Sequence, residues 1–168
     1  HLVRAWHRTY GLPIVITNCS NNYGPFQNNE KLIPTIIRKL SSGEKVPIYG
    51  NGSQIRDWLH VDDHAHALYE ASMKGKIGQT YNIGGNSERT NLEVVKEIWY
   101  ALKNNFSNDI KINDDFENCI EFVPDRPGHD LRYAIDSSKI LTEFGFKPSE
   151  TFTSGIQKTI KWYLNNLT

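Results

Sequence analysis

The sequence predicts an α/β fold in which short strands alternate with amphipathic helices. Short apolar runs rich in β-branched residues, bounded by Gly, Pro or Asn, indicate buried parallel strands. Between them, apolar residues recur three and four positions apart, which indicates helices with one buried face. The chain has 168 residues, of which 38% are hydrophobic and 23% charged. It is therefore long enough and apolar enough for a domain with a core of its own.

The charge balance excludes several classes of partner. Lys and Arg together number 19, as do Asp and Glu, so the net charge is zero. No overall field attracts nucleic acid, and any anion site must be local. No apolar run approaches the length of a bilayer span, so we expect no membrane partner. Cys19 and Cys119 lack metal-type spacing and favour a reducing, cytoplasmic location.

The chain opens inside a helical pattern. Apolar residues recur at helical spacing over residues 1–10, and Gly11 and Pro13 end the pattern. No capping residue precedes it, which predicts that the chain is a piece of a longer protein. Residues 14–17, Ile-Val-Ile-Thr, are expected to form a buried strand. The polar residues 18–30 are expected to form a long loop after that strand.

The middle of the chain continues the alternation. A helix is predicted over residues 31–41 and ends at Gly43. A strand at 46–49 and a Gly-Asn-Gly turn follow, and a second strand is expected at 56–61. Asp62 is the expected N-cap of the next helix. The expected buried face of that helix consists of Ala65, Leu68, Tyr69 and Ser72.

The last part of the chain adds two further strands and three helices. Strands are predicted at 80–83 and 120–123, and Asn91 is the expected N-cap of a helix between them. Residues 104–118 are rich in Asn and Asp and predict a surface loop. The remaining expected features are a polar turn at 125–130, a short helix beginning at Ser137, and a final helix capped by Thr151 or Thr153.

Four segments carry a resemblance to a known family. They are Thr-Asn-Cys-Ser-Asn-Asn-Tyr-Gly-Pro at 17–25, Glu-Lys-Leu-Ile-Pro at 30–34, Gln-Ile-Arg-Asp-Trp-Leu-His-Val-Asp-Asp at 54–63 and Asp-Arg-Pro-Gly-His-Asp at 125–130. Together they closely resemble the dTDP-glucose 4,6-dehydratases, which are extended short-chain dehydrogenase/reductases. Asn-Asn-Tyr-Gly-Pro and Arg-Asp-Trp are shared across that superfamily, whereas the last segment resembles the dehydratases more narrowly. The resemblance corresponds to about the second half of such an enzyme.

The resemblance implies a domain organisation. It implies the C-terminal part of a Rossmann-type doubly wound sheet plus a smaller α/β substrate-binding domain, without the N-terminal cofactor half. Residues 1–30 are then a remnant of the dinucleotide-binding domain. Residues 31–168 mainly form the nucleotide-sugar-binding domain, with one or more segments that return to the Rossmann sheet.

The resemblance also implies an activity. Such an enzyme is an NAD-dependent lyase that converts dTDP-glucose to dTDP-4-keto-6-deoxyglucose, and it acts as a homodimer. The family's Gly-rich phosphate loop and Tyr-x-x-x-Lys pair do not occur in this sequence. The catalytic residues are therefore expected upstream, and this half by itself is expected to be inactive.

The first candidate site residues follow the first predicted strand. Loops at the carboxyl ends of parallel strands bind ligands, and amides can bind phosphate or carboxamide groups without adding charge. The resemblance assigns Asn21 to the nucleotide sugar and Asn22 to NAD, with an Asn-rich turn as the alternative. Lys31 opens a helix, where a cation opposes the dipole, and an incoming diphosphate would account for its placement. A solvated Lys is the alternative, and the resemblance favours the diphosphate. The expected backbone contacts follow along Leu32, Ile33 and Pro34.

Cationic side chains are the expected ligands of the diphosphate. The planar guanidinium of Arg56 can hold two phosphate oxygens, and a salt bridge with Asp57 or Asp62 is its alternative. A Pro-Gly turn brings Arg126 and His129 together, and a charged surface turn is the alternative. The other candidates of this segment are Asp125, Pro127, Gly128 and Tyr133, the last of which is equally a core strand position.

The base of the nucleotide requires an apolar surface. Pro47, Ile48 and Tyr49 form an apolar edge on which a pyrimidine can stack, with a plain core strand as the alternative. Asn91 faces the nucleotide by resemblance, in addition to its expected capping role. No metal ligand is assigned, because no Cys-x-x-Cys pair occurs and His64 and His66 cannot share a helix face.

Two other functions stay open on the sequence alone. The first is another enzyme of the superfamily, a nucleotide-sugar epimerase or decarboxylase, which shares the two common motifs. The second is a non-catalytic nucleotide-binding or assembly module formed by this half alone. The upstream active site would discriminate between the enzymes.

Overall fold

Strands and helices alternate along the chain, as the sequence predicts. The computed structural model describes residues 1–107 and 110–166. A 3-10 turn at Phe116–Cys119 precedes the seventh strand. The elements in chain order are helix α1 (Leu2–Tyr10), strands β1 (Ile16–Cys19) and β2 (Asn21–Tyr23), helix α2 (Leu32–Ser41), strands β3 (Val46–Tyr49) and β4 (Ile55–His60), helix α3 (Val61–Lys74), strands β5 (Thr80–Ile83) and β6 (Glu88–Thr90), helix α4 (Asn91–Phe106), strands β7 (Ile120–Val123) and β8 (Arg132–Tyr133), and helices α5 (Ser138–Phe144) and α6 (Phe152–Asn166).

Most strand pairs are parallel. β1 pairs in parallel with β5, and β3 pairs in parallel with β7. β4 is the centre of a third set, parallel to β2 and β8 and antiparallel to β6. Parallel strands require long crossover connections, which here contain the helices. The predicted α/β class is therefore confirmed.

Two hydrophobic clusters hold these elements together. The larger joins the predicted apolar stripes of α2, α4 and α6 to β3, β4 and β7. Ile36, Ile98 and Ile156, one from each helix, expose no surface. The smaller cluster includes Tyr81 and Ile83 of β5 and joins the β1–β5 pair to α3 and α5. The cavity described below lies beside the larger cluster.

The strand predictions are confirmed in part. β3, β5 and β7 have the predicted bounds. β1 begins at Ile16, two residues later than predicted, because its register with β5 starts there. The prediction of a loop throughout 18–30 is wrong, since Asn21–Tyr23 is a strand that pairs with Trp58, Leu59 and His60 of β4. That pairing is long-range, and residues poor in β-branched side chains do not signal it locally.

The predicted cap of α3 is also wrong. β4 runs directly into α3 at His60, whose Nδ1 accepts a hydrogen bond from the backbone N–H of Asp62 at 3.4 Å. Asp62 instead lies in the first turn of the helix, where a carboxylate interacts favourably with the helix dipole.

The buried face of α3 differs from the prediction. Asp63, Ala67 and Ala71 are buried, whereas Leu68 and Tyr69 are exposed. Small side chains four residues apart allow α3 to pack closely against its neighbours. A sequence pattern based on large apolar residues therefore selects the wrong face.

The caps of α4 and α6 are both threonine side chains. Thr90, rather than Asn91, caps α4 through a capping box with Glu93. Thr151 Oγ1 accepts a hydrogen bond from the backbone N–H of Ser154 at the start of α6, as one of the two predicted caps. α4 extends into the loop predicted at 104–118, of which residues 108–109 lie outside the described part. No helix within residues 1–107 and 110–166 is long and apolar enough to cross a membrane.

Candidate functional site

A cavity of about 320 Å³ lies between α2, β3, β4 and the turn at 125–130. Its volume is in the range of small-molecule sites. The sequence-predicted residues that line it come from widely separated positions: Asn21, Leu32, Pro47, Tyr49, Arg56, Asn91, Arg126 and His129. The fold therefore brings two guanidinium groups, an imidazole and two amides to one cavity.

Arg56 is held in place by backbone oxygens. Its Nη1 donates to the carbonyl oxygen of Ile55 at 2.7 Å, and its Nη2 donates to that of Asp130 at 2.9 Å. The side chain of Asp57, its alternative partner, is occupied elsewhere and accepts from the backbone N–H groups of Gly85 and Ser87. Five N–H groups belong to a guanidinium, so Arg56 retains donors for a ligand in the cavity.

The turn at 125–130 places Arg126 beside His129. The backbone N–H of His129 donates to the carbonyl oxygen of Arg126 at 3.2 Å, which closes the turn around Pro127 and Gly128. Gly128 has φ +70°, a conformation that strains other residues. The guanidinium of Arg126 lies over the Tyr49 ring, with 5.3 Å from Cζ to the centroid. Arg126 and the ring thus form one wall of the cavity.

Asp125 does not line the cavity, but it accepts hydrogen bonds from two residues that do, Arg126 and His129. One carboxylate oxygen accepts from His129 Nδ1 at 2.7 Å and from the backbone N–H of Arg126 at 2.8 Å. The other accepts from Gln54 Nε2 at 2.6 Å. The hydrogen bond from His129 and those from Arg126 and Gln54 lower the pKa of Asp125 below its ordinary value.

Asn21 and Asn22 face opposite sides of β2, because successive side chains of a strand alternate. Asn21 lines the cavity. Asn22 Nδ2 donates to the carbonyl oxygen of Ser20 at 3.0 Å. Its Oδ1 is buried and has no hydrogen-bond partner in the described part of the chain.

Other predicted site residues lie outside the cavity lining. The side chains of Ile33, Pro34 and Ile48 are buried behind it, with Ile33 and Ile48 in the larger hydrophobic cluster. Lys31 caps α2 without a side-chain hydrogen bond and is exposed, as is Tyr133 of β8.

Sequence reasoning missed five residues that line the cavity. They are Glu30, Thr35, Ile36, Val46 and Trp58. Glu30 and Trp58 belong to two of the segments that carry the family resemblance, which is the signal that could have pointed to them. Among the described residues that line the cavity, one carboxylate, Glu30, is outnumbered by two guanidinium groups, so the lining has a net positive charge. Such a lining suits an anion.

Within the part of the chain that the structure describes, the histidines do not form a metal site with the acidic residues. His60 and His64 stand four residues apart, but the His60 side chain is buried at the β4–α3 junction. Over residues 1–107 and 110–166, no group of three or more His, Cys, Asp or Glu side chains is arranged to hold a metal ion.

Comparison with known proteins identifies relatives along nearly the whole chain. The sequence is 60% identical over 166 residues to a dTDP-glucose 4,6-dehydratase of Escherichia coli, and the matched region covers 99% of this chain and 46% of the relative. It is 55% identical over 168 residues to a dTDP-glucose 4,6-dehydratase of Neisseria gonorrhoeae, and the matched region covers 100% of this chain and 49% of the relative. The chain thus spans about half the length of the curated relatives it matches.

Solved structures share the fold. A dTDP-glucose 4,6-dehydratase from Bacillus anthracis, in complex with NAD, superposes with a TM-score of 0.86 at 45% identity over 98% of this chain and 49% of that one. A UDP-glucose 4-epimerase from Thermotoga maritima reaches a TM-score of 0.87 at 24% identity over 99% of this chain and 51% of that one, which shows the fold alone. The GDP-mannose 4,6 dehydratase family model matches residues 1–159. The chain therefore belongs to the GDP-mannose 4,6 dehydratase family.

Proposed function

We propose that the intact protein is an NAD-dependent lyase that converts dTDP-glucose to dTDP-4-keto-6-deoxyglucose, and that this chain supplies the nucleotide-sugar site. The names of the curated relatives at 55% and 60% identity support the reaction. The observation that carries the site is the meeting of Arg56 and Arg126 in one cavity.

The two guanidinium groups suit the diphosphate of the substrate. Arg56 and Arg126 come from β4 and from the turn at 125–130, so they can hold the two phosphates from different sides. Guanidinium–phosphate contacts are among the stronger charge-assisted hydrogen bonds. The amides of Asn21 and Asn91 add polar contacts to the same cavity.

The apolar wall suits the base of the nucleotide. Pro47 and Tyr49 line the cavity on β3, and aromatic rings stack on bases through a largely non-directional contact. Binding energy from the base and the diphosphate is remote from the reacting carbons. It positions the sugar without taking part in the bond changes.

The cofactor has one candidate contact in this chain. The buried Oδ1 of Asn22, unpaired within the described part, fits a donor such as the carboxamide of NAD. Asn22 faces away from the nucleotide-sugar cavity, so the amide can hold one ligand while Asn21 holds the other. When bound, NAD supplies a hydride acceptor.

We place residues 1–30 in the dinucleotide-binding domain and residues 31–168 mainly in the nucleotide-sugar-binding domain. Exposed Leu2, Trp6 and Tyr10 of α1 support a homodimer interface on that helix. The cytoplasmic location stays a prediction.

A product assay tests the reaction. The intact protein, supplied with NAD and dTDP-glucose, is expected to form a keto sugar that absorbs in alkali. UDP-glucose under the same conditions is the control and should give no such product. Turnover of a UDP-sugar without turnover of dTDP-glucose would reject the proposed substrate and favour an epimerase.

A further inference from the structure

A chain of hydrogen bonds runs behind the cavity wall, and the buried Gln54 is its first member. Gln54 is only 4% exposed and does not line the cavity. Its Nε2 donates to Asp125 Oδ2 at 2.6 Å, while its Oε1 accepts from Asn91 Nδ2 at 3.5 Å. Because an ionised carboxylate only accepts hydrogen bonds, the 2.6 Å contact with Asp125 requires the nitrogen end of the Gln54 amide to face it.

The next two contacts determine the protonation of His129. An ionised carboxylate only accepts hydrogen bonds, so the 2.7 Å contact with Asp125 Oδ1 requires a proton on Nδ1. A guanidinium only donates, so the 3.0 Å contact with Arg126 Nη2 requires a bare Nε2. Both contacts are satisfied by one species, the neutral imidazole protonated on Nδ1.

The Nε2 of His129 therefore accepts from Arg126 and has no proton to give to an anion. If the ring were protonated on both nitrogens, two donors would face each other at 3.0 Å. Arg126 is held by two contacts: its guanidinium lies over the Tyr49 ring, and its Nη2 donates to His129 Nε2. Among the described residues, the other charged groups of the cavity lining are Arg56 and Glu30.

We infer that Gln54 and Asp125 are positioning residues, which hold His129 in its Nδ1-protonated tautomer so that His129 orients Arg126 toward the diphosphate. The identity of the ligand rests on the proposed function, whereas the tautomer of His129 does not. Preorganised donors bind an anion more tightly, because the ligand does not have to order them.

The tautomer is tested by nitrogen NMR on the intact protein labelled with ¹⁵N-histidine. The His129 resonances are assigned by their loss in a His129→Gln variant. The expected shifts are those of a neutral ring protonated on Nδ1. A ring protonated on Nε2, or on both nitrogens, at about pH 8 would overturn the inference, whatever the substrate proves to be.

The coupling is tested by exchanging the amide and the carboxylate between positions 54 and 125. Gln54→Glu places two carboxylates against each other, so we expect calorimetry at about pH 8 to show about tenfold weaker dTDP binding. Asp125→Asn alone either sets two amide donors against each other or turns the Gln54 nitrogen toward the amide donor of Asn91, so we expect it to weaken binding as well. In the double variant, the new amide at position 125 donates to the new carboxylate at position 54 and still accepts from His129. Affinity should therefore return to within about threefold of wild type.

The control is Gln157→Glu, the same chemical change at an exposed position of α6, and it should leave the dTDP affinity unchanged. If the wild type binds dTDP but the double variant does not recover affinity, the inference is wrong while the proposed function stands. A wild type that binds a different nucleoside diphosphate instead of dTDP would overturn the proposed substrate, and the same series would then be measured with that ligand.

Discussion

Asp63 is a buried carboxylate that ties α3 to the segment before α6. One oxygen accepts from the backbone N–H of Ser149 at 2.9 Å and from its hydroxyl at 2.6 Å, and the other accepts from the backbone N–H of Glu150 at 3.0 Å. Burial raises the pKa of Asp63, but these hydrogen bonds and His60 outweigh it, so the net pKa is lowered. The ionised form is thus favoured in the folded state.

Asp63→Asn should destabilise the protein because one amide donor would face a backbone donor. The expected loss in the free energy of unfolding at pH 7 is about 2 kcal/mol. Because the folded pKa of Asp63 is lowered, its contribution is present above the ordinary Asp pKa of about 3.9 and is lost as the pH falls through the folded value. Denaturant titrations at pH 7 and about pH 3 should show the difference shrinking. An equal difference at both pH values would contradict this account.

The backbone just after β5 approaches the backbone of β4 very closely. Gly84 and Gly85 follow β5, and the backbone N–H of Gly85 donates to the buried carboxylate of Asp57 at 2.9 Å. A Cβ at Gly85 would overlap the backbone carbonyl of Trp58. Glycine is therefore required here by space rather than by φ.

Gly85→Ala is expected to lower the free energy of unfolding by about 3 kcal/mol, since the backbone of β4 cannot move away without losing its pairing. Gly145→Ala is the comparison, because its Cβ meets nothing within 4 Å while φ is +71°. That variant should cost about 1 kcal/mol from backbone strain alone. Thermal unfolding would measure both, and equal losses would argue against the overlap.

The capping box of α4 gives a second prediction for an element. Thr90 Oγ1 accepts from the backbone N–H of Glu93 at 3.2 Å, and a Glu93 carboxylate oxygen accepts from the backbone N–H of Thr90 at 2.7 Å. Thr90→Ala should lower the free energy of unfolding by about 1 kcal/mol, while Thr90→Ser should be nearly neutral. Chemical denaturation would distinguish them. A loss with Ser as large as that with Ala would assign the effect to packing.

Local patterns predicted some elements and not others, for physical reasons. β3, β5 and β7 are short segments rich in apolar residues and followed by Gly or Pro, so the local pattern is enough to predict their bounds. β2 is a strand only through its pairing with β4, which no local pattern records. Thr-Asn-Leu-Glu carries the capping-box pattern, but Asn91 is also a good capping residue, so residue type alone does not identify Thr90 as the cap.

The site depends on the whole molecule, because its residues lie far apart in sequence. Asn21, Arg56 and Arg126 meet only when β2, β4 and the turn at 125–130 have assembled. Residue type and motif resemblance predicted these three. Gln54 was missed as a site residue although it opens the resemblance segment at 54–63, since its role depends on long-range contacts with Asp125 and Asn91.

The central claim is that this cavity binds the diphosphate of a nucleotide sugar. Its most direct test is calorimetric titration of the intact protein with dTDP, comparing Arg56→Ala with Arg38→Ala, the same change at an exposed position of α2 outside the cavity lining. Arg56→Ala is expected to weaken binding at least about tenfold, because a charge-assisted contact to phosphate is lost. Arg38→Ala should bind like wild type. Equal affinities of the two variants would contradict the account.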